Sequence, residues 1–186
     1  PLVTVTACRG NFIESLDHQP AIKVLRSVFE SGDARTRDLL QRALFVGLVG
    51  DSLRVGEPQA GDFLVRNVLG VDDRAGRLAV AAVLRDGMRL RFHVRDAEAA
   101  DEDLRKVVAR ARAQDPNGRI GGALLFSCVG RGERLFGEQD HDSQVFARAF
   151  GSDAVGGVFC NGEIGPVGSG TFLHGFTSCF AVFSRP

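Results

Sequence analysis

Strict alternation marks Met88–Arg95. Met88, Leu90, Phe92 and Val94 fall on one side, and Arg89, Arg91, His93 and Arg95 on the other. This is the two-residue period of a half-buried antiparallel strand. Asp86-Gly87 just before it is a strong hairpin signal, predicting that this strand pairs with Leu78–Leu84. Further β-branched or apolar runs predict strands over Val3–Cys8, with an extended continuation at Asn11–Leu16, and over Phe45–Val49 and Phe63–Val71. Ile120–Cys128 is a continuous apolar run and reads as a strand buried on both faces. Ala154–Cys160 and Thr177–Phe183 read as two closing strands.

Helical spacing appears in four places. Pro20 suits a first helical turn, and Ile22, Leu25, Val28 and Phe29 recur through Glu30. Asp33 can cap a shorter helix over Ala34–Leu44, and Asp96 one over Ala97–Gln114. The latter starts acidic and ends basic, with Ala100, Leu104, Val107, Val108 and Ala111 as its apolar stripe. Asp140 or Asp142 can cap a fourth helix over Ser143–Phe150, which Gly151 ends. Strict strand–helix alternation is absent. The reading is therefore α+β, a largely antiparallel sheet with three to four helices packed on it. A polar loop at Val55–Gly61 is the most plausible internal boundary, although its two sides read as one domain spanning 1–186.

Composition narrows the functional classes. The 186 residues carry 23 basic and 23 acidic side chains, so no net charge favours a nucleic-acid or anionic-membrane surface. No apolar run approaches the ~20 residues that span a bilayer. Pro1–Cys8 lacks the basic start and long apolar core of a signal peptide, so an intracellular, cytoplasmic location is expected. Cys8, Cys128, Cys160 and Cys179 form no paired spacing, which argues against structural zinc, and no cofactor or metal is expected.

Candidate chemistry gathers in three stretches. The first is Gly156–Gly175, where seven of twenty residues are glycine and surround Cys160, Asn161, Glu163 and His174. Such glycine density permits tight turns or close approach. Cys160, Glu163 and His174 are types suited to a nucleophile or an acid–base pair, but no nucleophile-elbow, Walker or dinucleotide pattern marks them. The second is Phe126–Gly132, a strand running into a loop that holds Ser127, Cys128 and Arg131. Arg131 between two glycines reads either as an anion-reaching fork or as an exposed side chain of a tight turn. The third is Asp140-His141-Asp142, which could orient an imidazole; helix capping by the aspartates with a surface His is the reading the next helix favours. The Arg89/Arg91/His93/Arg95 stripe reads as a solvated sheet face.

The segments Gly61–Asn67 (GDFLVRN), Phe92–Ala97 (FHVRDA), Gly122–Gly132 (GALLFSCVGRG), Phe136-Gly137 with Asp140-His141-Asp142, and Gly157–Pro166 (GVFCNGEIGP) with Leu173–Phe176 resemble, in this order, the C-terminal domain of the FIST family. The similarity runs from about Gly10 to Phe183. Family members are bacterial and eukaryotic signal-transduction proteins, including an F-box protein of the ubiquitin system, and the domain is regarded as an intracellular sensor of small ligands such as amino acids. The resemblance implies a non-catalytic ligand-binding domain. It places Arg66, Asn67, Ser127, Cys128, Arg131, Asp140, His141, Cys160, Asn161, Glu163 and His174 among positions that could line a pocket. It also implies, as partner, a separate N-terminal domain of the family or a signalling protein, with residues 1–18 as what would remain of such a domain here. An enzyme built on Cys160, Glu163 and His174, and a protein-interaction scaffold, are the alternative functions.

Overall fold

The computed structural model describes residues 1–50, 56–59, 61–167 and 170–185, which divide into two compact units. The suggested boundary at Val55–Gly61 and the Gly168-Ser169 part of the glycine-rich stretch lie partly or wholly outside them.

The first unit comprises Pro1–Arg95 with Pro166–Phe172. Its strands are β1 (Leu2–Arg9), β2 (Phe12–Leu16), β3 (Gln19–Pro20), β4 (Leu44–Val49), β5 (Phe63–Asp72), β6 (Arg77–Val80) and β7 (Arg89–Val94). They pair in the order β1-β7-β4-β5-β6-β2-β3, and β1 pairs again with β2. Six strands thus close into an antiparallel barrel, which leaves no open sheet edge among them. Alternate residues point inward: Val3, Val5, Ile13, Leu16, Val46, Leu48, Leu78, Val80 and Leu90 form the core. Helix α1 (Ala21–Ser31) adds Ala21 and Ile22 to it. Helix α2 (Ala34–Arg42) follows, its first turn capped by Asp33, whose carboxylate accepts the Thr36 N–H at 2.7 Å.

The expected Asp86-Gly87 hairpin does not form. β6 stops at Val80 and pairs with β5 and β2, whereas β7 lies between β1 and β4. Gly87 does turn the chain, with φ +85°, but the turn is taken up by β1: the Gly87 N–H donates to the Val5 carbonyl, and Val5 N–H to that of Met88. A local turn sets a reversal, and burial of Val3, Val5 and Leu90 selects the partner strand. The outer side of β7 is also less wet than its arginines imply. His93 lies over Gly47, where any side chain would collide with the ring, and packs edge-on against Phe63 at 4.8 Å. Arg91 stands over the same phenyl ring and pairs with Glu57 at 3.0 Å.

The second unit comprises Asp96–Gly165 with Leu173–Pro186. Helix α3 (Ala97–Ala113) leads to β8 (Ile120–Cys128), the one-turn α4 (Glu133–Phe136), α5 (His141–Phe150) and β9 (Val155–Cys160). Two paired strands not foreseen from the sequence, β10 (Glu163–Val167) and β11 (Gly170–His174), precede β12 (Ser178–Ser184); their Pro166–Phe172 part counts with the first unit. With α4, the described residues hold five helices rather than three to four. The sheet order is β12-β8-β9, with β12 antiparallel and β9 parallel to β8. Leu104 and Val108 of α3 pack with Val145 of α5, and Phe146 of α5 stacks on Phe180 of β12 with centroids 5.5 Å apart. These helices cover one face only. Leu124 and Phe126 of β8 remain 43% and 40% exposed, so the apolar run Ile120–Cys128 is not buried on both faces as expected.

Candidate functional site

Within the second unit, β8 and β9 run side by side with Ser127 opposite Phe159 and Cys128 opposite Cys160. Gly157 makes this approach possible, since a Cβ there would overlap the Leu125 carbonyl. Beyond Cys128 the chain turns tightly, with Arg131 N–H donating to the Cys128 carbonyl at 2.8 Å. Gly132 then takes φ +68° and starts α4. That left-handed step favours glycine.

Arg131 and Asp142 are only 7% and 6% exposed. They form a two-pronged ion pair, Nε to Oδ2 at 2.8 Å and Nη2 to Oδ1 at 2.9 Å. Ser127 Oγ donates to the same Oδ2 at 3.3 Å. The buried His141 ring sits between two carboxylates, with Nδ1 3.0 Å from Asp142 and Nε2 2.9 Å from Asp101. A neutral imidazole can donate to only one of them. Asp101 is held in turn by Arg105 one helical turn later, at 2.9 and 2.7 Å. Phe136 stacks on His141 with centroids 3.6 Å apart, and Arg131 stands over the phenyl ring at 5.1 Å. A buried charge needs such pairing, because removing one partner strands the other in a medium that solvates it poorly. Burial pushes the Asp142 carboxyl up, but hydrogen bonds and charge from Arg131, with His141, outweigh it, and the net shift is downward. Asp101 is also lowered, chiefly by its hydrogen bond from Arg105.

This arrangement corrects two expectations. Asp140 and Asp142 do not cap α5: Asp140 adopts φ +58° with no side-chain cap bond, and Asp142 is turned to Arg131. His141 is buried rather than a surface side chain. Pairing with a buried guanidinium outcompetes capping for the same carboxylate because both charges lose water together.

A cavity of about 180 Å³ opens over this network. Ser127, His141, Asp142 and Ser143 give it a polar side. Leu125, Val155, Val158 and Phe159 give it an apolar wall, and Gly132, Gly156 and Gly157 bring backbone close. It is smaller than the ~300 Å³ at which drug-sized pockets begin, so it suits a compact ligand.

Of the residues singled out from sequence, Ser127, Asp140 and His141 line this cavity, and Arg131 anchors it through Asp142. Cys128 and Cys160 end the neighbouring strands without lining it, and Asn161 is exposed beyond them. Glu163 and His174 lie apart from it. Glu163, 2% exposed, accepts the Thr177 hydroxyl at 2.7 Å through one oxygen, while its other oxygen has no partner among the described residues. His174 Nε2 is 2.9 Å from the Gly165 carbonyl. Nearby, burial and then the Glu163 charge push the Cys179 thiol up, away from a reactive thiolate. Arg66 and Asn67 belong to β5 of the barrel, where Arg66 donates to the Val65 carbonyl and Asn67 is exposed. Sequence reasoning missed Asp101, Phe136 and Phe159, whose roles depend on which helix and strand face α5. Among the described residues, no cluster of His, Cys, Asp or Glu is placed to hold a metal ion, and no helix is long and apolar enough to cross a membrane.

The chain thus combines a closed antiparallel barrel in one unit with a polar-floored cavity in the other. Its family is identified directly: the FIST C domain family matches residues 21–166, and the chain belongs to that family. An uncharacterized protein of Mycobacterium bovis is 41% identical over 179 residues, covering 96% of this chain and 46% of the relative. An uncharacterized protein of Mycobacterium tuberculosis gives the same identity and coverage. An F-box/LRR-repeat protein of Arabidopsis thaliana is 26% identical over 205 residues, 99% of this chain and 37% of the relative. The chain thus spans about half the length, or less, of these relatives. No solved structure matches it significantly.

Proposed function

We propose that the chain is a sensory, ligand-binding domain of a signal-transduction protein, and that the cavity over Ser127, His141 and Asp142 takes a compact polar metabolite such as an amino acid. The observation that carries this reading is a small cavity whose polar side is a pre-organised, buried charge network and whose opposite wall is apolar. Pockets with a few convergent polar groups on an apolar frame suit recognition of small ligands. Binding is favoured over catalysis because the candidate catalytic groups are otherwise engaged: Glu163 holds Thr177, and His174 faces the Gly165 carbonyl.

Thermal shift against a panel of amino acids and small metabolites tests this. A true ligand at 100 times its dissociation constant adds about 2.7 kcal/mol of stability. That gain should vanish in Ser143→Phe, which fills the cavity. Absence of any saturable stabiliser across the panel, or one indifferent to Ser143→Phe, refutes the reading.

A further inference from the structure

Hydrogen bonds around the cavity decide what its side chains can still do for a ligand. Both oxygens of Asp142 are doubly engaged, Oδ1 by Arg131 Nη2 and His141 Nδ1, Oδ2 by Arg131 Nε and Ser127 Oγ. A carboxylate has about four lone-pair sites, so Asp142 has none left for a ligand. His141 is equally spent, its two ring nitrogens facing Asp142 and Asp101. Ser127 gives its only hydroxyl proton to Asp142, and Ser143 gives its own to the Asp140 carbonyl at 2.9 Å. Each hydroxyl oxygen therefore keeps a lone pair and has nothing to donate. Among the described residues lining the cavity, no side chain is a free donor, and the Arg131 guanidinium is tied to Asp142 by both prongs. Asp140 completes the set: it lines the cavity, is exposed, and caps nothing. Standing just before α5, it sets a full negative charge beside a helix end worth about half a positive one, so this side does not favour an anion.

We propose that the cavity selects a compact primary amine. The ammonium donates to the Ser127 and Ser143 oxygens beside the Asp140 carboxylate, and the aliphatic part rests on Leu125, Val155 and Phe159. An ammonium offers only donors, which is the complement of this set. A carboxylate would lose water against oxygens that have no proton to give it. The selectivity rests on the cavity being the ligand site proposed above, and it narrows the ligand to a class: an amino acid is held by its amino end, and its acid group adds nothing.

Calorimetry at about pH 7 with probes of one aliphatic shape tests this: L-valine, isobutylamine, which lacks the carboxylate, and isovalerate, which lacks the amino group. Isobutylamine should saturate one site and bind at least about tenfold more tightly than isovalerate, with L-valine no tighter than isobutylamine. Asp140→Asn, which tolerates the left-handed backbone there, should weaken isobutylamine about threefold, as loss of an exposed ion pair does. Ser143→Phe should abolish its binding. Asp103→Asn, at an exposed carboxylate of α3 outside the cavity lining, should change nothing. Asp140 and Asp103 are both exposed, so these variants should fold, which far-UV circular dichroism verifies. Isovalerate binding as tightly as isobutylamine overturns the proposal, as does an isobutylamine affinity indifferent to Asp140→Asn. Failure of all the probes to bind at about 10 mM overturns it too. The sensory reading survives that result if another compound of the metabolite panel stabilises the chain and loses its effect in Ser143→Phe.

Discussion

At the scale of single residues, the most consequential contact is the buried Arg131–Asp142 pair. Its worth lies in being complete. Asp142→Ala should cost about 3–5 kcal/mol by stranding the guanidinium, whereas replacing both partners with apolar residues of similar size should cost much less. Urea denaturation of the single and double variants measures the difference, and equal losses would argue against a coupled pair. The sequence displayed both residues but not their pairing. Arg131 had two open readings, and Asp142 had a competing role as a helix cap. The two are 11 residues apart, with a loop, α4 and a left-handed turn between them. Only the path of that segment brings their heads together.

Elements show which physical signals travel well. Asp33 and Asp96 cap their helices as predicted, because capping depends on neighbours only two or three residues away. The Asp86-Gly87 hairpin failed because a turn does not specify its partner strand. Gly157 is the opposite case, a residue whose meaning appears only when two strands meet. Gly157→Ala should force β8 and β9 apart and destabilise the second unit by about 1–3 kcal/mol, as overpacking does elsewhere. Chemical denaturation would register it, and a neutral result would mean the strands relax without cost. The pairing of β10 with β11 was overlooked because Gly165 and Pro166 interrupt Glu163–Val167, a poor β signature.

For the whole molecule, the shifted groups predict two steps in acid. Burial, and then the Arg91 charge, lower the His93 pKa. Its unfolded form takes a proton near pH 6.5, so stability is full above that value and falls as pH drops below it. Asp101 and Asp142 are lowered as well, so their contribution holds above about pH 4 and is lost as pH falls through their folded values. The stability profile should therefore decline first as pH falls below about 6.5, then again below about pH 4. Urea midpoints measured across pH, with His93→Phe removing only the first decline, check the assignment. A profile flat from pH 7 to 4 would exclude the His93 term.

What the sequence determined by itself was local and periodic: most strands and four of the five helices, two caps, the inward face of β7, and the motifs that place the chain in its family. The sequence singled out Gly156–Gly175 and Gly122–Gly132; residues of both line the cavity, but Cys160, Asn161, Glu163 and His174, which drew attention to the first, do not. Tertiary structure alone decided that six strands close into a barrel, that Arg131 is spent on Asp142, and that Glu163 and His174 stand apart from the cavity. The physical reason is range. Capping and alternation act over a few residues and are written in order along the chain. Ring closure, buried ion pairing and the covering of a sheet face depend on groups that meet only after the backbone has folded.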